Sequence, residues 1–284
     1  MTPQQDFKPG LPERVGETEI PVHRILGRNP GPMTGPGTNS YLLGAERLCL
    51  LDPGPVDSAQ LQSFVDAIGG RQLIYILLTH THRDHSPAAQ PLAEQTGAEI
   101  VCLPAPDVLG QDHTARAARS WRHGDILELG EYTLELIHTP GHVSNHFCYL
   151  LREERLLFTG DHVLQGTTPV ILPPDGDMAD YLDSLSLLQQ RDLLYLAPGH
   201  GGLMDDPQKE IAALIAHRLQ REQKIVDCLA ALGSATVDVL VEPVYDDVPA
   251  HLIPWAKKTL LAHLYKLQRD TRACVDEDIW RMIA

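Results

Sequence analysis

Apolar positions follow two rhythms along this chain. From about residue 19 to residue 200 they form short runs separated by glycine, proline and polar clusters. Such runs predict strands near 19–26, 39–44, 47–52, 73–79, 98–103, 132–137, 146–151, 155–158 and 193–197. The run Leu73-Ile74-Tyr75-Ile76-Leu77-Leu78 is continuous, as expected of a strand buried on both faces. Helices are expected over 57–68, from about Asp84, and from Asp177 to Gln190, where Tyr181, Leu182, Leu185 and Leu188 recur at helical spacing. After His200 the rhythm lengthens. Ile211, Leu214, Ile215, Leu219, Ile225, Val226 and Leu229 stripe one long helix from Pro207 to Leu232, with Gly233 as its stop. Helices over 237–244 and 254–269 and a strand near 272–276 complete the chain. The pattern divides into a loose arm (1–17), an α/β domain of two mixed sheets with outer helices (18–205), and a small helical module (206–284).

Several strands end in the same way: an apolar run, a polar or glycine-containing turn, then histidine or aspartate. Thr79-His80-Thr81-His82-Arg83-Asp84-His85 follows the run 73–78. Thr139-Pro140-Gly141-His142 follows 132–137, Thr159-Gly160-Asp161-His162 follows 155–158, and Pro198-Gly199-His200 follows 193–197. One histidine after a strand is ordinarily a cap or a hydrogen-bonding residue. Four such blocks place imidazoles and carboxylates at strand ends, where α/β folds gather their chemistry. Imidazole and carboxylate without thiolate suit Zn²⁺, but also Fe or Mn.

The four blocks in this order resemble the metallo-β-lactamase superfamily, as do Gly31–Leu42 and the turn Asp52-Pro53-Gly54-Pro55. The resemblance implies an αβ/βα sandwich and a metal-dependent hydrolase holding two divalent ions. It assigns His80, His82 and His142 to one ion, Asp84, His85 and His200 to the other, and Asp161 to both. It further implies a hydroxide bridging the ions as nucleophile, with Asp84 as the catalytic group that orients it and handles its proton. Relatives that hydrolyse β-lactams often carry a cysteine where this chain has Asp161, which favours the thioesterase, phosphodiesterase and nuclease side. Glyoxalase II-type thioesterases share the metal motifs. The stretch 161–200 is too short for the inserted domain of the β-CASP nucleases. His217-Arg218 and Arg221-Glu222-Gln223, with the helices around them, are similar to the winged-helix-like C-terminal module of the β-lactamase-like endoribonuclease subfamily and its bacterial relatives.

Other residues are candidates for substrate contact or for supporting the ligands. His146 and His162 lie close in sequence to assigned ligands. Asp52 ends a strand and either orients a ligand or closes a turn. Tyr181 points either to the cleft or to the core. Thr167–Asp177, rich in proline, follows Asp161 closely enough to shape a pocket.

Composition narrows the substrate. Apolar residues make up 43% of the chain, charged residues 21%, and the net charge is −15. An acidic protein is a poor general binder of nucleic acid or anionic lipid. Helix 254–269 carries Lys257, Lys258, Lys266 and Arg269, either a solvated face or a surface for phosphates. The five cysteines are widely spaced with no CxxC, and no run reaches transmembrane length, so a cytoplasmic protein with reduced thiols and no membrane partner is expected. The expected activity is hydrolysis of a small ester or thioester. The alternatives are an endoribonuclease acting on single-stranded RNA and a non-catalytic, metal-stabilised binding protein.

Overall fold

A computed structural model describes residues 8–283. The chain separates into two compact units, one comprising the residues up to His138 with Asn145–Thr167 and Asp192–Pro207, the other Thr139–Ser144, Thr168–Arg191 and the chain from Gln208 on. In this division the short loop carrying His142 and the segment 168–191 group with the residues from Gln208 on.

The first unit is a two-sheet sandwich. One sheet has the order β1 (Pro12–Arg14), β2 (Val22–Leu26), β3 (Asn39–Leu43), β4 (Arg47–Leu51), β5 (Gln72–Leu77), β6 (Glu99–Val101). The other contains β7 (Ile126–Glu128), β8 (Thr133–His138), β9 (Phe147–Leu151), β10 (Leu156–Gly160) and β11 (Tyr195–Pro198), in the order β11-β10-β9-β8-β7. Alternation along β4 shows how the core is divided. Cys49 and Leu51 join Tyr41, Leu77, Leu136, Tyr149 and Phe158 between the sheets. Leu48 and Leu50 face the other way, against Phe64 and Ile68 of α1 (Ser58–Ile68) and Leu92 of α2 (Ala89–Thr96). Both faces of the sheet are covered, so its strands read as nearly continuous apolar runs. Each fully buried leucine contributes about 1.5–3 kcal/mol.

Three differences from expectation have local causes. Pro12–Arg14, within the expected loose arm, forms an antiparallel edge strand on β2, too short to show a period; residues 1–7 lie outside the described residues. The helix expected from Asp84 starts at Ala89, because residues 82–88 are spent on turns closed by His85 N–H and Ser86 N–H to His82 O, and Ala88 N–H is drawn to Gly54 O on another loop. The edge strand β7 alternates exposed and buried residues over three positions only.

The second unit contains α3 (Met178–Gln189), α4 (Pro207–Leu232), α5 (Val237–Val244), α6 (Ile253–Arg269) and the hairpin β12 (Ala273–Asp276) and β13 (Ile279–Met282). Asp177 caps α3 by accepting from Asp180 N–H, and Thr236 caps α5. Ile225, Leu229, Leu240, Val244, Leu260, Leu264, Leu267 and Trp280 form its core. Among the described residues no helix is long and apolar enough to cross a membrane.

Candidate metal centre

Parallel strand pairs build the site in the first unit. β4 and β5 are parallel neighbours, as are β10 and β11. Adjacent parallel strands end at the same sheet edge. Asp52 therefore emerges beside Thr79–His85, and Asp161 beside His200. Side chains from three chain segments converge: one donor atom from each of Asp84, His85, Asp161 and His200 lies within 4.8 Å of the others. His85 Nε2 is 3.6 Å from Asp84 Oδ2 and 3.5 Å from Asp161 Oδ1. His200 Nε2 is 3.3 Å from Asp84 Oδ2 and 3.4 Å from Asp161 Oδ1. Only glycine fits at 199, since a Cβ there would lie 2.8 Å from both Asp161 Oδ1 and His85 Cε1.

These separations suit a cation. Ligands at the usual zinc distances of about 2.0–2.1 Å stand about 3.4 Å apart around a tetrahedron. The Nε2 atoms of His85 and His200 are buried and make no hydrogen bond among the described residues. Their other nitrogens are engaged: His85 Nδ1 with Asp52 Oδ2 at 2.9 Å, His200 Nδ1 with the Gly37 carbonyl at 3.2 Å. That arrangement directs the Nε2 lone pairs into the cluster.

The electrostatics agree. Burial disfavours a charged ring at His85, yet Asp84, Asp161 and Asp52 raise its pKa well above the ordinary value. Burial likewise opposes a charged His200, and Asp161 and Asp84 raise it. Burial would raise Asp84, but His85 and His200 bring it down to about 2. The cluster attracts positive charge, whether proton or metal ion.

His80 and His82 form a second group. His80 Nε2 lies 2.9 Å from His82 Nδ1, and His80 Nδ1 lies 3.0 Å from Thr79 Oγ1. In the second unit, His142 Nδ1 meets the Val170 carbonyl at 2.7 Å, which leaves Nε2 as the nitrogen able to ligate.

Asp52 is fully buried. It accepts from Thr79 N–H at 2.7 Å and Thr79 Oγ1 at 2.6 Å, and its contact with His85 completes the set. It therefore ties the root of the histidine motif to a ligand candidate. Its φ of 45° lies in the left-handed region, which aspartate tolerates better than most residues. His146 is fully buried, its ring stacked on His80 at 5.3 Å, and buried His162 lies 5.7 Å from His146. Tyr181 is fully buried in the second unit, with the Arg218 guanidinium 5.4 Å from its ring centroid.

Sequence reasoning passed over one support. Thr81 donates to Gln111 at 2.6 Å and Ser86 to Asp112 at 2.7 Å, while Asn145 donates to Thr81 at 2.7 Å. The loop around Gln111 has no apolar period, and its only signal is a pair of polar residues that turn out to be buried.

Comparison with known proteins places this geometry. Residues 33–200 match the metallo-β-lactamase superfamily, and residues 236–280 the β-lactamase-associated winged helix domain. The chain belongs to the metallo-β-lactamase superfamily. This superfamily member is a hydrolase by family, and its sandwich and C-terminal winged helix are those that the sequence resemblance implied. The β-lactamase-like protein 2 homolog of Drosophila melanogaster is 31% identical, over 90% of this chain and 90% of that protein. The atrochrysone carboxyl ACP thioesterase of Aspergillus fumigatus is 32% identical, over 92% of this chain and 85% of that protein. The lactamase-like protein nscB of Arthroderma benhamiae is 31% identical over 92% of this chain, which spans only 61% of that protein. Among solved structures, a β-lactamase domain protein from Burkholderia ambifaria superposes with a TM-score of 0.78 at 21% identity, covering 98% of this chain and 95% of that one; it supports the fold.

Proposed function

We propose that this superfamily member is a dinuclear metal-dependent hydrolase, with zinc as the first candidate, acting on a small ester or thioester. The reading rests on the four-donor cluster with separations of 3.3–3.6 Å. Asp84, His85, Asp161 and His200 would hold one ion, and His80, His82 and His142, with Asp161, the other. Bound ions would lower the pKa of a water to about 7 and polarise the carbonyl under attack. Asp84, which keeps more exposure than His85 or His200, is the carboxylate that would orient a water there and accept its proton. Asp52 holds His85 in the tautomer that ligation needs.

The substrate class draws support from two observations. One relative bears the name of a thioesterase. The basic residues of α6 are also largely neutralised. Lys257 pairs with Asp238 at 2.6 Å, Lys266 with Asp270 at 2.7 Å and Glu222 at 3.1 Å, and Arg269 with Asp180 at 3.1 Å. Cations paired in this way release few counterions on meeting a phosphate backbone. The test is elemental analysis of the purified protein, then turnover of acyl thioesters and of single-stranded RNA across a salt series. Two ions per chain and salt-tolerant thioester turnover are expected. Salt-sensitive RNA cleavage without thioester turnover would replace this reading with the endoribonuclease. Metal-free protein that takes up none on titration would remove both.

A further inference from the structure

We infer that Arg218, on the C-terminal helix α4, is a positioning residue for His142, acting through the peptide that joins Pro169 to Val170. The inference rests on the reading of His142 as a metal ligand, and every residue it uses belongs to the second unit.

The argument begins at the imidazole. A carbonyl oxygen only accepts, so the 2.7 Å contact between His142 Nδ1 and Val170 O makes Nδ1 the protonated nitrogen. Nε2 then carries the lone pair, and the direction of the ring depends on where the Val170 carbonyl sits. Residues 168–177 form neither helix nor strand, so no ladder holds that carbonyl in place. Three hydrogen bonds from backbone N–H groups order the far part of the segment: Gly176 N–H to Leu172 O at 2.9 Å, Asp177 N–H to Gly141 O at 2.9 Å, and Ser144 N–H to the Asp175 carboxylate Oδ2 at 3.0 Å. Beside Val170 the tie is different. The Arg218 guanidinium donates to the Pro169 carbonyl, one residue before the oxygen that fixes His142.

Arg218 suits this task. It is buried, and among the described residues its Nε finds no hydrogen bond. Burying a guanidinium is costly, and a planar fork held in one orientation transmits position better than a flexible ammonium. Its guanidinium lies over the ring of Tyr181, and the Tyr181 backbone packs against Gly141 so closely that a Cβ at 141 would stand 2.3 Å from Tyr181 Cα. Arg218 thus lies on two routes to His142: the peptide after Pro169, and Tyr181, whose backbone packs against Gly141. The C-terminal helix helps to orient His142 without supplying a ligand.

The test uses the full chain, Zn²⁺ titrated against a chromophoric chelator, and the visible spectrum of the Co²⁺-loaded protein. Arg218→Met should weaken one of two metal equivalents by about 10–100-fold, the range for partners that orient ligands, and leave the other unchanged. The Co²⁺ spectrum should shift, and Arg218→Lys should recover part of the affinity. In a His142→Ala background, Arg218→Met should have no further effect on metal binding. If Arg218→Met does not fold, Arg218→Lys carries the same cycle, with the melt of the metal-free protein as control. Wild-type affinity for both equivalents in the Arg218 variants overturns the inference, as does an equal loss in both backgrounds. Loss of one equivalent in His142→Ala with none in Arg218→Met overturns the inference alone. Retention of both equivalents in His142→Ala overturns the ligand reading and the inference with it.

Discussion

Two buried histidines in this molecule are shifted in opposite directions. His85 in the first unit and His263 in the second are both fully buried, and burial alone disfavours the charged ring in each. Around His85 stand Asp84, Asp161 and Asp52, and its pKa rises well above the ordinary value. Around His263, Glu222 pulls upward, but Arg218 and Lys266 add to burial and bring it down to about 4. The second cluster balances its charge with protein groups: Glu222 meets Lys266 at 3.1 Å and Arg272 at 3.1 Å. In the first, Asp52, Asp84 and Asp161 meet the rings of His85 and His200. The second cluster joins helices through protein charges of both signs, whereas the first is the one to which the proposed function assigns a metal ion.

The largest effect should come from Asp161. Asp161→Ala removes a carboxylate from the donor set, and both bound metal and turnover should fall, turnover by about 10³-fold or more, measured by elemental analysis and initial rates. Full activity with full metal content would erase the contrast between the clusters. Next is Glu222→Gln, which leaves Lys266 and Arg272 facing a neutral group. A loss on the order of 3 kcal/mol is expected in urea unfolding, equally in metal-loaded and chelated protein. A loss seen only with metal bound would mean that the two clusters are one system.

Asp52→Asn comes third. The amide can still meet Thr79, but it no longer supplies a charged acceptor to His85, and metal affinity should drop about 10–100-fold in a chelator competition. Near neutral pH the smallest effect is that of His263, which grows only as the pH falls. Its folded pKa of about 4 lies below the ordinary value of 6.5, so the unfolded chain binds the extra proton between those values. Stability should be fully present above pH 6.5 and decline as the pH falls towards 4, by at most about 1.4 kcal/mol per unit from this group. His263→Gln should flatten that decline in chemical unfolding curves; an unchanged slope would assign the acid sensitivity to other groups.

Legibility in the sequence followed the range of the interaction. The stripe from Ile211 to Leu229 predicts Pro207–Leu232, and α4 has those bounds, because helical periodicity is a local property repeated over many turns. The strand β13 escaped notice because its four residues have meaning only opposite β12. At the site, the histidine motif and the three later blocks were visible as residue types after apolar runs. The role of Asp52 stayed open between orienting a ligand and closing a turn, and Tyr181 between cleft and core. For Asp52 the contacts lie 27 and 33 residues away in sequence, with Thr79 and His85.

The sequence by itself determined which chemistry is available and, to within about two residues at each end, where the strands that carry it lie, since ligand type and hydrophobic period are written residue by residue. Tertiary structure alone decided which charges are balanced. Lys257, Lys266 and Arg269 of α6 stood open between a solvated face and a surface for phosphates until packing set Asp180, Glu222, Asp238 and Asp270 against them. Except for Asp270, one helical turn from Lys266, those partners come from other helices, and only the packing of one helix on another brings such charges within 4 Å.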